Sequence, residues 1–275
     1  VDQALRCSLA ASLAYLSPVQ LNAARREWRH TGLFSADPGQ EYASRLAARL
    51  TFAEQVEEPS LRASATIFES VESDEVLVAF RGSTGVRNFQ SMFALGLVPL
   101  GADDAGALVH EGYQEASLRL AELLEPALAR RAASSRITFT GHSYGGGTAT
   151  LCAFHLAPHE LLTFSAPLVG DAGFATRFEA TPLGSRTVHL VHDADPVLQQ
   201  NRPLWDALGY AHTGRVVRCS PTEPTIFGDA DGVGEGGGFA WNFMDHCRYL
   251  GTYMGPRAGK LKVGKLLKPN YRPTS

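Results

Sequence analysis

TFTGHSYGGGTATL, residues 138–151, sets a serine between glycines at the junction of two unlike patterns. Upstream, the β-branched and aromatic run RITFT (136–140) reads as a buried strand. Downstream, TATLCAFHLA (148–157) is small and apolar and reads as a buried helix. Between them Gly141-His142-Ser143-Tyr144-Gly145 forms a G-x-S-x-G with two further glycines behind it. Glycines at these points let strand and helix pass close together and hold the serine at strained backbone angles. The helix N-terminus then aims its N–H groups and positive dipole end at any anion forming beside Ser143 Oγ. Ser143 is therefore a candidate nucleophile, with a phosphate-cradling or purely structural turn as the alternatives.

Working outward, a chain of 275 residues, 44% hydrophobic and 19% charged, can build one large α/β domain or two small ones. Its net charge of −3 gives no overall basis for binding nucleic acid. No apolar run approaches the roughly 18 residues of a membrane span. No secretory leader is visible, and a start at Val1 rather than Met is consistent with removal of a leader or tag. Cys7, Cys152, Cys219 and Cys247 lack metal-like spacing; Cys152, on the expected buried helix, reads as a small hydrophobe. Residues 1–58 read as a helical segment: leucines recur at 5, 9, 13 and 16, and SRLAARLTFAEQV (44–56) continues the pattern. ASATIFESV (63–71) and EVLVAFRG (75–82) read as a strand pair, and GYQEASLRLAELLEPALARR (112–131) as an amphipathic helix. LLTFSAP (161–167), RTVHLVH (186–192) and GRVVRCS (214–220) add three strands, and WNFMDHCRYLGTYM (241–254) falls within a final helix. Strands alternating with helices predict a mostly parallel sheet covered on both faces, with the reacting site beyond the carboxyl ends of the strands.

A serine hydroxyl needs a base, and the base needs an orienting carboxylate. Where a nucleophilic serine sits on a G-x-S-x-G elbow of the α/β-hydrolase type, the acid and then the base follow it in chain order, each on a loop after a strand. Asp193 and Asp195 lie just past RTVHLVH, and Met244-Asp245-His246-Cys247 follows later, so Asp195 and His246 satisfy the order. Asp193 competes with Asp195, and His192 and His212 compete with His246. For the oxyanion, the backbone N–H of Tyr144 is one donor, and Ser83, after Gly82 in VAFRGST (78–84), can offer N–H and Oγ. A turn or helix-cap serine is the plain alternative for Ser83.

With these pieces assembled, the chain resembles the class 3 lipases, the family of the fungal triacylglycerol lipases. The likeness runs from about residue 63 to 254 through FRGS (80–83), RNF (87–89), VHEGY (109–113), GHSYGG (141–146), TFSAPLVGD (163–171), HDADPV (192–197) and DHCRYL (245–250). It implies one α/β-hydrolase domain over 1–275, with the N-terminal helical segment packed on it and a basic tail at 256–275. It implies Ser143 as nucleophile, Asp195 as acid, His246 as base, and Ser83 and Tyr144 as the oxyanion hole. Tyr144 stands where the family usually has leucine, and Pro196 follows the acid.

Val86, Phe89, Met92 and Phe93 recur at helical spacing after Ser83; an apolar stripe is usually core, and the resemblance implies a lid instead. Gly228-Asp229-Ala230-Asp231-Gly232 begins like a calcium loop but lacks the spaced third ligand and the closing Glu, so no metal is expected. Lys260, Lys262, Lys265 and Lys268 make the tail basic, as a solvated segment or a contact for an anionic membrane. The implied activity is hydrolysis of acylglycerol or phospholipid esters through an acyl-enzyme, without cofactor, at an oil–water or membrane interface. A soluble-ester esterase of feruloyl type and a catalytically inactive lipid-binding module are the alternatives. Secretion is favoured by the resemblance alone.

Overall fold

A computed structural model describes residues 2–22, 49–83, 96–101, 106–131, 133–192, 195, 203–219, 224–225, 246, 248–249 and 252–254. Among them lie helices α1 (Asp2–Leu13), α2 (Glu111–Ala129), α3 (Tyr144–Leu156) and α4 (Ala172–Glu179). The main sheet uses β1 (Leu50–Glu58), β2 (Ala63–Ser70), β3 (Glu75–Phe80), β6 (Arg136–His142), β7 (Glu160–Phe164), β9 (Thr187–His192), β11 (Arg215–Cys219) and β12 (Pro224–Thr225), neighbours in that order. A smaller sheet combines β4 (Leu97–Pro99), β5 (Leu108–His110), β8 (Gly170–Asp171) and β10 (Tyr210–Ala211). From β3 through β6, β7 and β9 to β11 every pairing is parallel, while β1, β2 and β12 join antiparallel at the edges. The expected mostly parallel sheet is thus present.

Alternation along β3 shows how both faces are covered. Leu77 and Ala79 pack with Cys7, Leu9, Leu13 and Leu16 of the N-terminal helix and its following turn. Val76, Val78 and Phe80 point the other way and pack with Tyr113, Leu120, Leu151 and Phe174 from α2, α3 and α4. A strand buried on both faces reads as a continuous apolar run, which is why EVLVAF was recognisable. α1 is fastened at its rim as well, with Arg6 Nη1 2.6 Å from Glu75 Oε2. Full burial of one such leucine contributes about 2 kcal/mol, so α1 belongs to the core rather than decorating it.

Two sequence expectations are corrected. Residues 50–58, taken as helical, are the edge strand β1, paired antiparallel with β2. The register slips between Phe52 and Glu54, so Phe52 packs on the α1 face while Val56 packs on the other. A bulge inverts the period of two, and Leu50, Ala53 and Val56 are then left at a helix-like spacing in the sequence. Of the final helix expected over 241–254, His246 is helical, but a two-stranded pair of β13 (Arg248–Tyr249) and β14 (Thr252–Tyr253) follows it. Tyr and Thr there favour pairing over helix, and the long-range packing of Tyr249 and Met254 against the α1 face overrides the helical spacing. Cys7 and Cys152 are buried free thiols, Cys152 donating to Ser117 O at 3.1 Å. No helix of the described residues is long and apolar enough to cross a membrane.

His189 is buried in the sheet, its Nδ1 2.7 Å from Thr163 Oγ1 and its Nε2 3.2 Å from Thr213 Oγ1. Burial, and then the neighbouring His212, push its pKa down from 6.5 to about 3. The unfolded imidazole takes its proton near 6.5 and the folded one resists until about 3, so this contribution to stability is complete above 6.5 and lost on descending towards 3. The slope from one such group reaches at most about 1.4 kcal/mol per pH unit. Denaturant unfolding measured from pH 7 to pH 4 should therefore show a flatter decline for His189→Gln than for the parent.

Candidate active site

β6 delivers the chain to Ser143 and α3 takes it away at once, from Tyr144. Ser143 adopts φ 55° and ψ −126°, a region that costs an L-residue about 1–3 kcal/mol and persists only where its surroundings enforce it. The enforcement is visible. Ser143 N–H donates to Phe164 O on β7 at 2.9 Å, and Ser143 O accepts from Gly146 N–H at 2.8 Å. A Cβ on Gly141 would collide with the Gly145 carbonyl, and a Cβ on Gly145 with the Phe80 carbonyl at the end of β3. Only glycine lets the first turn of α3 lie this close over β3 and β6.

The structure brings three of the expected side chains together. His246 Nε2 lies 2.9 Å from Ser143 Oγ. His246 Nδ1 lies 3.0 and 2.9 Å from the two carboxylate oxygens of Asp195. Asp195 is 0% exposed and Ser143 and His246 are buried, so the contacts are shielded from water, where electrostatic interactions are stronger. Asp195 follows β9, its N–H bonded to His192 O at 3.0 Å. Asp193 lies outside the described residues. Of the competing histidines, the His192 ring packs edge-on against Tyr249, with centroids 6.2 Å apart, and His212 neighbours His189.

Tyr144 opens α3 directly after Ser143, and the N–H groups of Gly146 and Gly147 turn back onto Ser143 O. Its buried ring turns away and packs on Tyr113, with centroids 5.0 Å apart. Ser83 follows β3, whose parallel register sets Phe80 opposite Gly141. A Cβ on Gly82 would come within 2.7 Å of His142 O, so this loop runs alongside the elbow, as a second oxyanion donor requires. Val86, Phe89, Met92 and Phe93 lie outside the described residues, as do residues 228–232 and the tail 256–275.

Three partners escaped the sequence reading. His142 Nε2 donates to His246 O at 2.7 Å and its Nδ1 accepts from Tyr15 Oη at 2.8 Å. Burial, and then His246, hold His142 well below the usual imidazole pKa, so it is neutral. Tyr249 Oη donates to Ser165 Oγ at 3.1 Å, and Ser165 Oγ sits 2.9 Å from His246 Nδ1. All three lay inside motifs already quoted, but only the fold shows what their side chains meet.

Comparisons with known proteins find relatives among the lipases. Residues 77–201 match the family model for lipase (class 3). The chain resembles the class 3 lipases. It is 35% identical over 146 residues to secreted mono- and diacylglycerol lipase 1 of Fusarium solani, a match covering 50% of this chain and 42% of that protein. It is 29% identical over 121 residues to phospholipase A1-II 5 of Oryza sativa subsp. indica, covering 38% and 25%. The matches thus span less than half the length of these curated relatives. The structure of Rhizomucor miehei triacylglyceride lipase superposes with a TM-score of 0.66 at 20% identity, over 92% of this chain and 94% of that one. The fold is therefore that of the α/β-hydrolases to which these lipases belong.

Gly145 offers a direct test of the packing that holds the elbow. Gly145→Ala should lower stability by about 3 kcal/mol, because the obstructing atoms belong to backbone and cannot rotate away. Thermal denaturation should show it, and an unchanged melting temperature would mean that α3 does not lie this close to β3.

Proposed function

We propose that this chain is a serine carboxylester hydrolase, a lipase cleaving acylglycerol or phospholipid esters through an acyl-enzyme, acting as one α/β-hydrolase domain. The observation that carries the reading is His246 Nε2 at 2.9 Å from Ser143 Oγ, with Asp195 at 2.9 Å on the opposite ring nitrogen. Asp195 holds the proton on Nδ1, which leaves Nε2 bare to accept one. As Ser143 Oγ attacks the ester carbonyl, its proton passes to Nε2 and the carbonyl oxygen becomes an oxyanion. The Tyr144 N–H and Ser83 receive that charge. Collapse expels the alcohol, which takes the proton from Nε2, and the acyl group stays on Ser143. Water, deprotonated by His246, then releases the fatty acid.

The names of the relatives support acylglycerol and phospholipid esters as substrates and favour secretion. The apolar residues Val86, Phe89, Met92 and Phe93 follow Ser83 in sequence and would serve as the lid. On that reading, activity against a medium-chain ester rises sharply across its critical micelle concentration. A smooth saturation curve would instead favour the soluble-ester alternative.

Ser143→Ala should abolish hydrolysis and fluorophosphonate labelling while the melting temperature stays near the parent's. Turnover within tenfold of the parent would remove Ser143 as nucleophile. Asp195→Asn should cost about four orders of magnitude in kcat, since the imidazole then loses its productive tautomer. Greater damage from Asp193→Asn would show that the other carboxylate is the acid. Ser83→Ala should lower kcat about 10²- to 10³-fold with KM nearly unchanged if its hydroxyl meets the oxyanion. A lower melting temperature with kcat intact would make it a turn serine whose N–H alone can contribute.

A further inference from the structure

Ser165 is the least ordinary residue around His246. It is 0% exposed and follows β7 with φ 52°, in the left-handed region that residues other than Gly, Asn and Asp seldom adopt. Its N–H is fixed on Leu190 O at 2.9 Å. Glycine would hold this backbone without strain; serine adds an oxygen, and the oxygen falls 2.9 Å from His246 Nδ1.

Nδ1 consequently faces three oxygens, Asp195 Oδ1 at 3.0 Å, Asp195 Oδ2 at 2.9 Å and Ser165 Oγ at 2.9 Å. Tyr249 organises the set. Its hydroxyl accepts from His192 N–H at 2.9 Å, donates to Ser165 Oγ at 3.1 Å and lies 3.5 Å from Asp195 Oδ2. A hydroxyl oxygen has two lone pairs, so one engaged by Tyr249 leaves the other for the Nδ1–H.

Resting on the proposed roles of Ser143 and His246, we infer that Ser165 is a positioning residue for His246, sharing the Nδ1 proton with Asp195 and held in place by Tyr249. Two acceptors on different strand ends fix both the tilt and the twist of the ring, where a lone carboxylate leaves it freer to rock. When the Ser143 O–H bond breaks and its proton moves to Nε2, the ring carries N–H on both nitrogens and one positive charge. The Ser165 oxygen then helps to hold that charge beside the Asp195 carboxylate. His142, whose ring centroid is 4.9 Å from that of His246, adds no second charge while it is neutral.

Ser165→Gly separates this role from a structural one, because it removes the hydroxyl and relieves the backbone at once. Positioning predicts a fall of about tenfold in kcat on a p-nitrophenyl ester, with KM unchanged and the melting temperature no lower. Ser165→Ala, which keeps the Cβ, should show the same fall. In proton NMR the His246 Nδ1–H resonance should move upfield and exchange faster in Ser165→Gly. A resonance that does not move overturns the inference, whatever turnover does. Ser143→Ala in the same series tests the underlying reading separately: retained turnover there removes Ser143 as nucleophile, while the resonance still decides Ser165.

Discussion

The crossing of the first turn of α3 over the ends of β3 and β6 is the constraint on which the site depends. The Gly145 backbone lies against the Phe80 carbonyl and Gly141 against Gly145, so strand, corner and helix share a space with no room for a Cβ. Ser143 at φ 55° is the consequence. A serine there cannot relax into a helical or extended conformation without prising α3 from the sheet. The strain is thus carried by the apolar packing that seats α3 between α2 and the sheet, where Tyr144, Ala149, Leu151 and Cys152 are buried. Local strain at a functional site persists only when the surroundings over-determine it.

Electrostatics then builds on that geometry. A fully buried carboxylate is costly unless its lone pairs are engaged, and Asp195 meets the His246 N–H and has the Tyr249 hydroxyl close by. The elements that converge are distant in sequence: β6 brings Ser143, β7 brings Ser165, β9 leads to Asp195, and the segment before β13 brings His246. Ser143, Ser165 and Asp195 arrive at the same edge because parallel strands end together, and His246 joins them from outside the parallel sheet. This is the physical reason that open α/β sheets carry their sites beyond the carboxyl ends of the strands.

How much of this was legible in the sequence follows from which signals are local. The elbow was readable because strand, glycines, serine and helix occupy consecutive residues. Asp195 and His246 were readable from chain order after strand ends, but order alone could not separate Asp195 from Asp193. β1 was misread because the slip after Phe52 moves Val56 to the opposite face, and no local pattern announces a bulge. Arg248–Tyr249 and Thr252–Tyr253 were misread because the apolar spacing there suits a helix, whereas Tyr249 is fixed by contacts with Phe164 and His192 far away in sequence. Ser165 and His142 sat inside recognised motifs, yet their partners lie 81 and 104 residues distant at His246. Side-chain pairing across such separations is a property of topology, and topology is what sequence periodicity conveys least.

The N-terminal helix shows how far the site reaches. Tyr15, just beyond α1, donates to His142 Nδ1, the ring nitrogen left bare when Nε2 donates to the carbonyl of His246. A carbonyl can only accept, so His246 O keeps the His142 proton on Nε2, and the Tyr15 hydroxyl, which can donate or accept, supports that tautomer by donating to Nδ1. The Tyr15 hydroxyl also occupies the space that a Cβ on Gly82 would need, which sets the same side chain against the loop carrying Ser83. One phenol from the first helical segment therefore braces the backbone of the proposed base and the approach of the proposed oxyanion donor. His142 must stay neutral for this to work, since a second imidazolium 4.9 Å from His246 would oppose the charge formed in the reaction. Burial beneath Tyr15 and the α1 face keeps it neutral. The packing that stabilises the fold and the electrostatics of the site are in this respect the same interaction.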